Sequence, residues 1–133
     1  MRELILERLR SDATLADLLP GGIHDVEITR QQTPTAYDAN GELLPCALVR
    51  LSSEVALPPY PTGSRMMVSV YFYQRVGYDA IDEARRQVYS LLHEHKLAAG
   101  VWTMRHTDDV LDQEDLALQC SLTLSRFEII HRR

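Results

Sequence analysis

Two periodicities alternate along this chain. Across Arg65–Tyr73, Met66, Val68, Val70 and Phe72 fall on one side of a period-2 segment, and Met67, Ser69, Tyr71 and Tyr73 on the other. β-Branched and aromatic residues suit a pleated, half-buried surface, so the pattern predicts a strand. Gly77 breaks it, and the period then becomes helical. Ile81, Ala84, Val88, Leu91, Leu92 and His95 share one stripe, with Asp82, Arg86, Glu94 and Lys96 elsewhere around the wheel. Asp79 reads as the N-cap of this helix, with Asp82 three residues on as its capping-box partner. A strand face and a helix stripe so close in sequence require a common core.

The flanking segments extend the pattern. Glu3–Arg10 reads as a short amphipathic helix through Ile5, Leu6 and Leu9, and Thr14 with Asp17 as the cap of a further turn that Pro20-Gly21-Gly22 ends. Ile23–Ile28 alternates weakly, as an edge strand does. Arg30–Leu44 is polar and carries Asn40-Gly41, a turn signal, so a short hairpin or excursion is expected there. Cys46–Leu51 is apolar on both faces except at Arg50, the mark of an interior strand. Glu54–Gly63 holds Pro58, Pro59, Tyr60 and Pro61; prolines donate nothing to a ladder, so a loop or stiff arm is expected. Val101–Arg105 resumes a strand, and Asp108–Asp115 reads as an acidic connection.

Leu116, Leu118, Cys120, Leu122 and Leu124 then alternate with smaller and more polar residues, a strand expected to lie beside Arg65–Tyr73. Near Arg126 the phase changes, as at a bulge. The economical packing is α+β: a four- to five-stranded, largely antiparallel sheet with two helices packed on one face.

Composition narrows the function. At 133 residues the chain is expected to be one domain, residues 1–133, with a single core. A net charge of −5 with scattered basic residues argues against a protein that grips nucleic-acid phosphates. The two cysteines, Cys46 and Cys120, sit in apolar runs and read as reduced core thiols. Neither a signal-peptide pattern nor a membrane-length apolar stretch is seen, so a soluble cytoplasmic protein without a membrane partner is expected.

Catalytic and metal chemistry finds little footing. His93 and His95, two apart on a helix, point in different directions and cannot act as an i, i+4 metal pair. His24 and Asp25 face apart on a strand, and His106 reads as a loop residue. The Asp108–Asp115 cluster lacks the glycine and ligand spacing of an EF-hand loop, so a solvated hairpin is the better reading. No nucleophile elbow or phosphate-cradling glycine pattern occurs. No enzyme, cofactor or metal is expected.

Taken in order, the segments resemble the tail-terminator (tail-completion) proteins of long-tailed bacteriophages, the lambda-like group in particular. The pieces that carry the resemblance are Glu3–Arg10, Pro45–Val49, Val68–Tyr73, Asp79–Lys96, Asp108–Asp115 and Leu116–Ile130. The match is one of order, size and pattern over nearly the full length, and Glu54–Gly63 departs from it.

The resemblance implies a non-enzymatic virion protein that forms a hexameric ring on the tail-tube protein and stops tube growth. Such a ring presents the surface that joins the tail to a head–tail connector or neck protein, and genome DNA passes through its lumen without specific binding. The implied location is the tail end of the virion, after assembly in the host cytoplasm. Pro58, Pro59, Tyr60 and Pro61 are candidate interface residues, Tyr60 being a rigid aromatic anchor or else packed on its own sheet. Asp108, Asp109 and Asp112 are candidates for a lumen that repels phosphate or for a subunit contact. The alternatives weighed are a head-completion or neck connector ring and, from another class, a small non-enzymatic ligand-binding domain.

Overall fold

The computed structural model describes residues 1–57 and 60–132, and the backbone alone at Leu57, Tyr60, Pro61 and Trp102. In chain order the elements are α1 (Arg2–Arg10), α2 (Ala13–Leu18), β1 (Ile23–His24), β2 (Cys46–Leu57), β3 (Tyr60–Gln74), α3 (Asp79–Leu92), β4 (Val101–Asp115) and β5 (Cys120–Arg132), with a 3₁₀ turn at Pro34–Ala36 before β2. The sheet order is β1-β2-β3-β5-β4. Every pairing is antiparallel except the short β1, which runs parallel to β2 at the edge. This is the expected α+β architecture, with three helices where the sequence pattern predicted two.

The alternation in Arg65–Tyr73 sets the two faces. Val68, Val70 and Phe72 lie under the helices, flanked by Ala47 and Val49 of β2 and by Phe127 and Ile129 of β5. Ile5, Leu6 and Leu9 of α1, Leu15 of α2, and Ile81, Ala84, Val88 and Leu92 of α3 close the core from above. The opposite face carries a smaller cluster. There the segment after β1 folds back and lays Ile28, Ala36 and Leu43 on Cys46, Leu48, Tyr73 and Cys120. Gly21 lets the chain entering β1 pass close against the start of β2, because a Cβ there would sit 2.9 Å from both Cys46 Cβ and the Pro45 carbonyl oxygen.

Several local expectations are corrected. The cap of α2 is Asp12, which accepts from Leu15 N at 2.9 Å, not Thr14. Tyr78 is the N-cap residue of α3 and makes no side-chain cap bond. Gln74 does that work from the end of β3, its Oε1 accepting from Ala80 N and Ile81 N at 3.1 and 3.2 Å. Asp79 instead accepts from the Gln74 amide, which holds its carboxyl below the usual range. The helix ends at Leu92, so His95 is not part of its stripe. The strand expected over Ile23–Ile28 is two residues long.

Glu54–Gly63 is not a separate loop or arm. β2 runs on to Leu57, which pairs with Tyr60 at the start of β3. The proline is accommodated by irregularity: the register jumps from Ala56↔Ser64 to Leu57↔Tyr60, so Pro61 lies where the ladder is already broken. Pro58 and Pro59 lie outside the described residues.

The acidic stretch is also strand rather than connection. β4 continues through Asp108–Asp115, and the turn falls at residues 116–119, where Leu116 is 83% exposed instead of starting a buried face. β5 keeps one phase: Thr123, Ser125, Phe127, Ile129 and His131 are all buried on the helix side. The expected bulge near Arg126 is absent there, and the three register shifts fall opposite, at Val101/Thr103, His106/Asp108 and Val110/Gln113 of β4.

Candidate functional site

The acidic cluster of β4 splits between the two faces of the sheet. Regular strands send residues three apart to opposite faces. The irregularity between His106 and Asp108 adds one residue, so His106 opposite Phe127 and Asp109 opposite Ser125 both point toward α3. Asp109 is thereby drawn inward. It accepts from Arg85 of α3 at 2.8 Å, lies 2.9 Å from His106 Nε2, and accepts the Ser125 hydroxyl. Burial alone would raise its carboxyl. The Ser125 and His106 hydrogen bonds and the charges of His106 and Arg85 outweigh that and hold it below the usual carboxylate range.

An aromatic layer encloses this network. Tyr89 stacks on His93 at 4.6 Å, and His106 meets Tyr89 and Phe127 edge-on at 5.3 Å each. The His93 Nδ1 accepts from the backbone N–H of His106 at 3.0 Å. His106 is therefore a packed strand residue, not the loop residue expected. Serine, aspartate and histidine converge here, but the order is wrong for nucleophilic chemistry. Ser125 is fully buried and donates to the carboxylate, and the imidazole reaches that same carboxylate rather than the hydroxyl.

Asp108 and Asp112 stay outside. Asp108 pairs with Arg126 through two bonds of 3.0 and 2.8 Å on the face away from α3, with both side chains roughly half exposed. Such a pair contributes at most about 1 kcal/mol. Asp112 is exposed at the next irregularity, with a φ of 55°. Of the three candidates, then, Asp108 and Asp112 face solvent, and Asp109 tethers the edge strand to α3.

Tyr60 and Pro61 lie at the far end of the β2–β3 hairpin, beside the Gly63↔Arg132 pair that ends β3–β5 pairing. The exposed Val55 lies on the same hairpin. Cys46 and Cys120 both belong to the second-face cluster. Cys46 pairs with Tyr73 and Tyr73 with Leu122, so the cysteines are two strands apart. Two spacings of about 4.8 Å put their Cα atoms on the order of 10 Å apart, beyond disulfide reach. Burial pushes both thiols up to about 12.

Among the described residues no group of three or more His, Cys, Asp or Glu side chains is arranged to hold a metal ion. No helix among them is long and apolar enough to cross a membrane. The network around Asp109 was hidden from sequence reasoning, because the Arg85–Asp109 and Asp109–Ser125 pairs join residues far apart in the chain.

No protein-family model matches the sequence, and no curated protein sequence matches it. Among solved structures, a chain from the virion of a native gene transfer agent particle shares the fold. The likeness has a TM-score of 0.72 and covers 100% of this chain and 95% of that one, at 15% sequence identity. At that identity the likeness is one of fold.

Proposed function

We propose that this chain is a non-enzymatic structural protein of a phage-like virion, and within it a tail terminator. In this reading it forms a ring, of six copies as in the family it resembles, on the last layer of tail-tube protein. It stops polymerisation there and offers the surface to which a head–tail connector or neck protein joins. The observation that carries the reading is the end-to-end fold likeness to a gene transfer agent virion chain. The element order that resembles lambda-like tail terminators supports the finer assignment.

The architecture suits the role. A closed ring needs a heterologous contact repeated by every subunit, and a rigid sheet with long hairpins offers two projecting ends. Residues Pro58, Pro59, Tyr60 and Pro61 are assigned to contact with a neighbour or with the tube. Asp108 and Asp112 are assigned to a solvent-facing surface on the path of the genome, where carboxylates repel phosphate. Asp109 supports that surface from behind.

The test is negative-stain imaging of the purified protein alone and with its tail-tube partner. Rings, or discs capping tube ends, are the expected result. Particles that ignore tube ends but bind a portal or adaptor ring would move the chain to the neck-connector class. Monomers or dimers that bind neither would overturn the virion assignment.

A further inference from the structure

The two ends of the β4–β5 hairpin are unlike and complementary. At one end the turn after β4 carries Leu116, at 83% the most exposed large apolar side chain among the described residues. Asp115 Oδ1 accepts from Leu118 N at 2.9 Å and Gln119 takes a φ of 53°. These two features hold the turn, so Leu116 is not needed to shape it. Val76, 69% exposed, stands beside it across a cavity of about 490 Å³ whose rim includes Glu114, Asp115 and Arg75, the last lying 3.6 Å from Glu42. Adjacent exposed apolar groups with a polar rim mark a surface made to be covered.

At the other end lies a cleft of about 330 Å³ lined by Leu4, Ala99, Val101, His131 and Arg132, with no carboxylate among its lining residues. The buried His131 Nε2 has no hydrogen-bond partner among the described residues, and the nearest acidic oxygen, on Glu54, is 3.5 Å away. Arg132 is exposed at the lip. With Arg75 set against Glu42 and His131 against Glu54, Glu114 and Asp115 flank the apolar knob at one end, and Arg132 flanks the cleft at the other.

A single molecule cannot join them. Asp115 pairs with Cys120 at one end of the hairpin and Val101 with His131 at the other. The span between is on the order of 40 Å at about 3.3 Å per residue. We infer that Leu116 of one copy seats in the Leu4–Val101–Arg132 cleft of the next copy, with Glu114 and Asp115 facing Arg132. The occupant is a second copy because one chain carries both halves, an apolar knob beside Glu114 and Asp115 and a cleft beside the oppositely charged Arg132. The contact is heterologous, so it propagates, closing into a ring or running on as a filament. This deepens the ring reading and rests on it.

The test combines variants with cross-linking, each read by sedimentation velocity alone and by imaging on tube ends. Leu116→Asp and Arg132→Glu change exposed side chains, so thermal midpoints should match that of the parent protein. Each should weaken self-association by on the order of tenfold or more. Glu114→Arg combined with Arg132→Glu should recover part of the loss. A mixture of Leu116→Cys and Ala99→Cys proteins should give disulfide-linked dimers that neither gives alone. Variants that assemble like the parent, with no cross-link in the mixture, would overturn the contact while leaving the ring standing. A parent protein that forms no ring, alone or on tubes, would overturn the ring reading itself.

Discussion

Asp109 shows how one carboxylate can hold an edge strand in place. Its partners come from α3, β4 and β5, and its side chain and that of Arg85 are each at most 20% exposed. Asp109→Asn keeps the shape but removes the charge opposite Arg85, and a loss of about 1–3 kcal/mol is expected. The pH dependence follows from the lowered carboxyl. A group with a depressed folded pKa contributes stability above its unfolded value, about 3.9, and loses it as pH falls through the folded value. The difference between the parent and Asp109→Asn in urea denaturation should therefore be full at pH 6 and shrink below about pH 4. The cysteines give a second check. With both thiols near 12, thiolate is scarce at pH 8. A thiol reagent should label neither Cys46 nor Cys120 in the native protein and both after denaturation.

The elements are joined by short-range devices that lie outside the elements themselves. Gln74 belongs to β3 yet caps α3, so the strand end fixes where the helix begins across the turn at Gly77, whose φ is 82°. Gln74→Ala should cost about 0.5–2 kcal/mol, measured as a drop in urea midpoint with an unchanged slope. Gly21 does the same between α2 and β2, its N–H donating to the Pro45 carbonyl at 2.8 Å. Gly21→Ala drives a methyl into Cys46 and that carbonyl. Its expected cost is about 1–3 kcal/mol, read as a lowered thermal midpoint. The strands β3 and β5 were legible because Val68, Val70 and Phe72 obey an uninterrupted period of two. Three irregularities in β4 break that period, so its acidic second half carries no strand signal in the sequence.

For the molecule as a whole, β4 is one edge of the sheet, and its bulges and acidic residues guard it against pairing with stray strands. That is the plain structural reason for carboxylates at Asp108, Asp109 and Asp112, and it operates whether or not the edge faces a lumen. The two roles separate experimentally once Asp109 is left intact. Asp108→Asn with Asp112→Asn should leave ring assembly unchanged in sedimentation if the surface lies on the genome's path. Loss of assembly in that double variant would instead assign both residues to subunit contacts. Of the candidate interface, the hairpin end at Tyr60 and Pro61 was visible in sequence only as a proline-rich anomaly, because a broken ladder and a loop share the same composition. The cleft at Leu4, Val101 and Arg132 left no local signal, since it is assembled from three separated segments.

The amino-acid order by itself determined the α+β class, the central strand with its two faces, the amphipathic stripe of α3 and the burial of both cysteines. Each of these depends on residues a few positions apart, and a period of two or 3.6 transmits that dependence directly. Tertiary structure decided the rest. It chose which carboxylate turns inward, because a single inserted residue reverses the facing of everything beyond it. It also supplied caps and ion pairs from distant segments, and it covered the second face of the sheet with the chain that leads into β2. Those choices turn on the competition for space and hydrogen bonds in one packed core, and no local pattern records its outcome.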